Sequence, residues 1–484
     1  MVFTISKKKF NQDGIYFIGM NAVDVTGSCI YIRFADKQIL LECGLHQSSS
    51  NSYLDSYRIN SAKFKFNPSE IDYVFICHSH IDHEGLLPRL VAEGFKGKII
   101  LNSKTAIITE SLLKNCAFIL NDEARILSKR YKREYKPIYN ENDVFATLDL
   151  FSLYDEVNTV FTLDDKVSFQ WLKNSHCVGS VQLQLILNDN MRTKKILYTS
   201  DIGALKSHNH YVTQTEIPTM FNDYVIMEST YGSKNRINKR NREYDIKHLR
   251  TITDTVTHRG GSLILPCFSF ARTQELLTTF YELFGNDSKF KIPIIIDSKL
   301  SCEITDKYSQ ILDMSDIALW DKVMKWSNVK FIKEKEDSRL CIADHSPKIV
   351  LSSSGFCTNG RIVNYLSEYL KDAKSAIVFS GYTGDNPSYL SYRIKNYKNH
   401  KTININKKPV ANKADCITLG SFSSHAGHND LVSYGSNLNC NMLVLVHGAE
   451  ASKIDLRDDL EKSISKNNKS YKVKVAQKDM IIRL

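Results

Sequence analysis

One hexapeptide constrains this chain more than any other stretch. His78-Ser79-His80-Ile81-Asp82-His83 places three imidazoles and one carboxylate within six residues. A strand-like run over 71–77 precedes it, and a helix-like run follows from Gly85 through Leu90 and Val91. Alternate residues of an extended turn point the same way, so His78 and His80 can converge on one ion. Asp82 and His83 lie one step further on and can face a second ion. Neutral imidazole and carboxylate suit zinc and similar divalent metals. The competing reading is a histidine-rich surface loop that binds no metal. One zinc takes three or four ligands, so a metal reading requires partners from elsewhere in the chain.

Three residues at the ends of apolar strands supply them. His176 follows a strand-like run over 167–172, in Ser175-His176-Cys177-Val178-Gly179. Asp201 follows 196–198, in Ser200-Asp201-Ile202-Gly203, and His447 follows 442–446, in Val446-His447-Gly448. Active-site loops usually lie at strand ends. Singly each is weak, because a lone strand-end His is more often structural than a ligand. Together they are what the hexapeptide lacks. A carboxylate bridging two ions would hold them about 3.5–4 Å apart, the arrangement for phosphoryl displacement.

A chain of 484 residues can hold two or more domains and a large core. It is 42% hydrophobic and 24% charged, as in ordinary globular proteins, so collagen-like and disordered classes are excluded. No run of about 18 apolar residues exists, so no transmembrane helix is expected. Residues 1–10 carry Lys7, Lys8 and Lys9 with no apolar core after them, which does not read as a secretory signal. Eleven scattered Cys without a Cys-x-x-Cys pair argue for free thiols in a reducing cytoplasm. The net charge of +11 favours polyanionic partners but is weak alone. Two basic runs stand out, 124–136 and 234–250; for the first, a solvated helix face is the favoured reading.

Strand-like runs at 29–34 and 38–41 flank the polar turn Ala35-Asp36-Lys37 and read as a hairpin. Further strands are expected at 98–101, 182–187 and 195–198, with a helix at 104–114. From 262 onward the pattern changes to βα units: strands at 262–265, 292–296, 348–351 and 376–379, with a helix at 272–283. They read as a separate domain with a largely parallel sheet. The Lys-rich stretch 395–413 reads as its exit linker, followed by a strand at 416–419, a loop at 421–427 and a strand at 442–446. The whole is layered α/β.

At this point a family resemblance is specific. Glu42 after a hairpin, His-x-His-x-Asp-His at 78–83, His176 and Asp201 resemble the motif series of the metallo-β-lactamase superfamily. Glu228 in Glu-Ser-Thr-Tyr-Gly, His425 in Phe-Ser-Ser-His-Ala-Gly and His447 in Val-His-Gly resemble the three further motifs of its β-CASP branch of nucleases. Arg272-Thr273-Gln274-Glu275, Asp297-Ser298 and the stretch 352–361 are similar too. Pro137-Ile138-Tyr139, followed by Glu141 and Asp143, resembles a connector of pre-mRNA 3′-end cleavage endonucleases and their prokaryotic relatives.

The resemblance implies an α/β fold, a metallo-β-lactamase αββα sandwich with an inserted β-CASP α/β domain. The sandwich would comprise residues 1–206 and 409–484, and the insertion 207–408. It implies two zinc ions: His78, His80 and His176 on one, Asp82, His83 and His447 on the other, and Asp201 bridging. Asp82, Glu228 and His425 would be catalytic, with His425, oriented by Glu228, protonating the leaving oxygen. The implied activity is hydrolysis of RNA phosphodiesters, by endonuclease or 5′-exonuclease action, in RNA processing or decay. Single-stranded RNA would lie in the cleft between the domains. A cytoplasmic protein with no membrane association is expected, and a homodimer is one assembly the resemblance allows.

The chain departs from the pattern at Glu42, where Asp is usual. A longer arm is expected to shift a ligand His and weaken one metal. Lys299 follows Asp297-Ser298 where Pro is usual, which changes a loop. The N-terminal RNA-binding extension of many archaeal relatives is not found, which leaves the substrate range open. Three alternatives compete with this reading. A DNA nuclease of the same branch is disfavoured by His447. A hydrolase of small thioesters or lactams would lack the insertion with Glu228 and His425. An inactive RNA-binding subunit is disfavoured by the intact metal positions. The Ser- and Gly-rich stretch 352–360 reads equally as a phosphate cradle or a helix cap.

Overall fold

The computed structural model describes residues 11–47, 53–207, 209–212, 214–233, 241–381, 383–384 and 387–484. The hairpin pairs Ile30–Phe34 with Lys37–Leu41, Phe34 opposite Lys37. Ala35-Asp36 is its two-residue turn, and Ala35 takes the left-handed step (φ 53°) that matches strand twist in such turns.

This hairpin sits in a seven-stranded sheet ordered Ile481–Arg483, Gly14–Phe17, Ile30–Phe34, Lys37–Leu41, Tyr73–Phe75, Lys98–Leu101, Phe151–Leu153. A second seven-stranded sheet is ordered Lys472–Val475, Asn439–Val446, Phe221–Glu228, Thr193–Tyr198, Val181–Asn188, Val167–Lys173, Phe161–Thr162. Both ends of the chain contribute strands to this pair of sheets. The inner faces share one core, with Phe17, Ile32, Phe34 and Phe75 meeting Phe169, Trp171, Leu183 and Leu185. Outside the first sheet, Leu87 and Leu90 of helix Leu87–Ala92 pack on Tyr31, Leu40 and Val74. Outside the second, helices His428–Asn437 and Glu450–Lys466 bring Leu431, Tyr434, Leu456 and Leu460 onto Leu197, Val225 and Leu443. The layers are αββα, as the resemblance implied.

A third sheet of six strands is ordered Val329–Ile332, Ile294–Asp297, Ile349–Ser352, Leu263–Pro266, Ala376–Phe379, Asp415–Thr418. All its pairings are parallel. Its strands are nearly continuous apolar runs, as burial on both faces demands. One of its two cores reaches the sandwich, where Ile108, Leu112, Cys177 and Val178 join Leu265, Phe270, Leu276 and Phe422.

Sheet pairing divides the chain differently from the expected 207 and 408. Phe221–Glu228 pairs with Thr193–Tyr198 and Asn439–Val446 inside the sandwich. Asp415–Thr418 pairs with Ala376–Phe379 inside the insertion. The strands of the insertion therefore all lie between Glu228 and Thr418. The stretch 395–413 is not a linker: it holds the hairpin Thr402–Ile405 with Lys408–Ala411. Ile403 and Ile405 alternate inward under exposed polar neighbours, and the surface lysines mask that period.

The helix expected at 104–114 runs from Ser103 to Tyr131. In the first basic run Ala124, Leu127 and Tyr135 are buried, while Arg125, Lys129, Arg130, Lys132, Arg133 and Lys136 are exposed. Of the second run, residues 234–240 lie outside the described residues. Among those described, no helix is long and apolar enough to cross a membrane, and all eleven cysteines are free thiols.

Candidate metal centre and proton donor

The hexapeptide leaves the sheet after Tyr73–Phe75 and turns into the short helix Ile81–Glu84. Backbone bonds pin it to the two segments that flank the hairpin. Ser28 N–H donates to the Asp82 carbonyl (2.8 Å), Cys43 N–H to that of His83 (2.7 Å) and Leu45 N–H to that of Ile81 (3.0 Å). Gly44 makes this approach feasible, since a Cβ there would lie 1.7 Å from the Asp82 carbonyl oxygen. His176, Asp201 and His447 each follow a strand of the second sheet. Ser200 and His447 are left-handed without being glycine (φ 51° each). Such residues cost of order 1–3 kcal/mol and persist where the surroundings over-determine them.

His78 Nε2 and His176 Nε2 each lie 3.1 Å from His80 Nδ1. The same two nitrogens are 3.8 and 3.9 Å from Asp201 Oδ2. Four donors on a tetrahedral zinc with bonds of about 2.0–2.1 Å stand about 3.3–3.4 Å apart, so these three imidazoles and this carboxylate fit one ion. The second group faces the same carboxylate. His83 Nε2 is 3.3 Å from Asp201 Oδ2 and 3.7 Å from Asp82 Oδ2. His447 Nε2 is 3.5 Å from Asp82 Oδ2, and its Nδ1 is 3.1 Å from Asp201 Oδ1. Asp201 Oδ1 is buried and, although His447 Nδ1 lies beside it, accepts no well-formed hydrogen bond, which suits a carboxylate that holds a cation.

The charges agree. Burial, then the neighbouring imidazoles, hold His78 and His176 well below the usual range. Burial takes His80 down to about 4. All three therefore offer neutral lone pairs at neutral pH. Burial works against ionised Asp201, but His447 and His83 outweigh it and hold the carboxyl well below its usual range. Burial also works against charged His83, but Asp201 and Asp82 push it well above.

A layer behind the ligands orients them. Ser200 Oγ meets His78 Nδ1 at 3.2 Å and donates to Glu42 Oε1 at 3.0 Å. Cys77 N–H donates to the same oxygen (3.3 Å), and His83 Nδ1 lies 3.5 Å from it. Glu42 is fully buried and left-handed (φ 62°). With this longer acid in place His83 still reaches Asp201. Thr230 Oγ1 meets His447 Nδ1 at 3.0 Å. Fixing the far nitrogen of a ligand imidazole sets its orientation. Sequence reasoning missed Ser200 and Thr230, although each adjoins or nearly adjoins a motif residue, Asp201 and Glu228.

His425 stands at the mouth, its ring centroid 4.7 Å from that of His176. Both carboxylate oxygens of Glu228 lie 3.1 Å from His425 Nδ1. Ile202 N–H (2.6 Å) and Thr230 N–H (3.2 Å) hold that carboxylate in turn. Burial opposes a charge on His425, but Glu228 overrides it and raises the imidazole to about 9.

The loop carrying His425 is seated on the insertion. Ser421 N–H and Oγ donate to Asp245 Oδ2 at 2.8 and 2.7 Å. The Arg242 guanidinium lies 3.5 Å over the Phe422 ring. Arg272 Nη2 donates to Ser424 Oγ at 3.1 Å. Arg272 pairs with Glu275, which also takes Arg242 at 2.7 Å. These four charged residues are at most 6% exposed. The only sequence trace was Arg and Glu three apart, on one helix face.

Three domain families match parts of this chain: the metallo-β-lactamase superfamily over 22–149, the Beta-Casp domain over 273–387, and the Zn-dependent metallo-hydrolase RNA specificity domain over 410–474. The chain is 26% identical to Ribonuclease TTHA0252 of Thermus thermophilus, over 90% of this chain and 93% of that one. It is 28% identical to Probable RNase MJ4 of Methanocaldococcus jannaschii, over 90% and 94%. With Cleavage and polyadenylation specificity factor 73 of Drosophila melanogaster it shares 24% identity, over 93% of this chain and 62% of that one. A crystal structure of a protein of unknown function from Enterococcus faecalis shares the fold at a TM-score of 0.53 and 12% identity, covering 98% and 100% of the two chains. Metal-binding geometry, inserted sheet and relatives agree: the chain belongs to the β-CASP branch of the metallo-β-lactamase superfamily.

Proposed function

We propose that this chain is a zinc-dependent ribonuclease that hydrolyses phosphodiesters of single-stranded RNA, with His425 as the proton donor to the leaving oxygen. The observation that carries the reading is His425 held on both oxygens of Glu228 beside two groups of metal-ligand residues. His78, His80 and His176 would hold one zinc, Asp82, His83 and His447 the other, with Asp201 shared. Bound there, the ions would polarise a phosphate oxygen and supply hydroxide at neutral pH.

The protein's own groups do the rest. Glu228 accepts the hydrogen bond from His425 Nδ1–H and keeps the imidazole protonated, which leaves Nε2–H to give its proton to the departing oxygen. That oxygen leaves as a strong base, so the proton matters. Attack at phosphorus with loss of the 3′-oxygen of the upstream ribose yields a 5′-phosphate and a 3′-hydroxyl. Ser200, Glu42 and Thr230 keep the ligand imidazoles turned inward. RNA is favoured over DNA by His447, by the RNA-specificity domain and by relatives named as ribonucleases. The surplus of +11 suits a polyanion. A homodimer is one assembly this reading allows.

The test is purified protein with RNA labelled at either end, its 5′ end blocked or free. Internal cuts in blocked RNA mean endonuclease action, and products only from a free 5′ end mean exonuclease action. Elemental analysis should find two equivalents of zinc. Protein that carries both ions and cleaves neither RNA would sink the proposal.

A further inference from the structure

Three neighbouring parallel strands in the middle of the inserted sheet end along one edge. Leu263–Pro266 leads into Phe268, Ile349–Ser352 into Phe356, and Ala376–Phe379, further on, into Tyr389. Chain order reverses here. The strands at 294–297, 329–332 and 349–352 lie on one side of Leu263–Pro266, and those at 376–379 and 415–418 on the other. In open α/β sheets the crevice at the carboxyl ends of the strands, where the order reverses, is where ligands bind.

The three rings form a row. Phe268 and Phe356 meet edge-on, with centroids 5.3 Å apart at 85°. Phe356 stacks on Tyr389 at 5.0 Å and 28°. The Phe268 ring also rests against Gly355, where an added Cβ would come within 2.9 Å of it. Phe268 is thus held in place, yet it is 40% exposed. Phe270, two residues on from Phe268, has its ring 6.1 Å from that of His80. At the other end, Tyr389 lies close enough to Asp24 for that carboxylate to help burial raise its phenol. The Asp24 carbonyl in turn accepts from Gly448 N–H at 3.2 Å, next to His447. The segment that carries Phe268 therefore runs beside the His80 ligand group.

We propose that Phe268, backed by Phe356 and Tyr389, is the stacking seat for a base of the RNA strand next to the scissile phosphate. The proposal rests on the ribonuclease reading. An open aromatic ring beside a phosphodiester site matches a nucleobase, because every base has a π face and stacks without regard to sequence. A seat of this kind holds one nucleotide still while its phosphate lies between the ligand groups.

The test compares wild type with Phe268→Ala, Phe268→Leu and Phe268→Trp, on an RNA carrying a single abasic nucleotide moved along the strand. Phe268→Ala should raise KM roughly 5- to 100-fold with kcat nearly unchanged. Phe268→Leu keeps the packing on Gly355 and Phe356 and should fail alike, whereas Phe268→Trp should rescue. Melting temperature and zinc content should stay level in all three. One abasic position should raise the wild-type KM by a similar factor and add nothing in Phe268→Ala. Wild-type KM in Phe268→Ala, or abasic effects that add to it, would overturn the seat and leave the ribonuclease reading standing. A wild-type protein that cleaves no RNA would overturn both.

Discussion

The seven candidate ligand side chains and the imidazole of His425 lie side by side but are held by different halves of the molecule. The ligands leave strand ends of the sandwich and are fixed by backbone bonds and by Ser200, Glu42 and Thr230. His425 is attached to the sandwich through Glu228, but its loop is seated on Arg272, Glu275, Arg242 and Asp245 of the insertion. The contrast separates two functions that sit side by side. Changes in the insertion should leave the metals in place and move the acid, whereas changes at the strand ends should empty the site.

The largest break is Asp201→Ala, because that carboxylate faces both groups. It should lose zinc from both positions in elemental analysis and lower turnover beyond the range seen for loss of an acid. Retention of both ions would refute its shared position. His425→Ala comes next: both ions and RNA affinity kept, and turnover down about 10²–10⁴-fold. An RNA with sulfur as the leaving atom needs little protonation and should restore much of that rate, but none of the Asp201→Ala loss.

The insertion's part is read from Ser424→Ala, which removes the Arg272 contact without stranding a charge. One hydrogen bond of about 1–1.5 kcal/mol predicts a fall in kcat of roughly tenfold, with full zinc and the same rescue by sulfur. A drop in zinc instead would erase the distinction between the two halves. Arg272→Ala should show the same kinetics with a stability loss of about 1.5–3 kcal/mol in chemical denaturation, because Glu275 loses one of its two buried partners and keeps Arg242.

The finest test is pH. The donor must be protonated, and Glu228 raises His425 to about 9. The protonated donor is therefore fully present well below that raised value and is lost as pH rises through it. Bound cations disfavour the imidazolium and draw this limb to lower pH. Glu228→Gln should move it lower still in a profile of kcat, and an unmoved limb would assign it to another group.

Much of the site was legible because coordination chemistry needs particular side chains at particular spacings. His78, His80, Asp82 and His83 are one turn, and His176, Asp201 and His447 each follow a recognisable apolar strand. Glu228 and His425 were found through family motifs, not through periodicity. The sheet membership of Phe221–Glu228 and Asp415–Thr418 was not legible. Lysines around Ile403 and Ile405 looked like a linker, and nothing in Phe221–Glu228 states which sheet it will join. A strand's period says which residues face inward but not which strand, hundreds of residues away, will pair with it.

The sequence by itself carried the candidate ligand chemistry in its residue types and, through its motifs, the resemblance that implied the αββα sandwich, its parallel-sheet insertion and the proposed acid with its carboxylate. These follow from residue types and short-range order, which the chain carries wherever it folds. Only the tertiary structure decided that Ser200 serves both His78 and Glu42, that Arg272 of the insertion holds the loop of His425, and that Phe268, Phe356 and Tyr389 line up at one sheet edge. Each of those contacts joins residues far apart in sequence, and neither partner bears a local mark of the other. They exist because close packing brings particular strand ends together, and packing is a property of the folded whole.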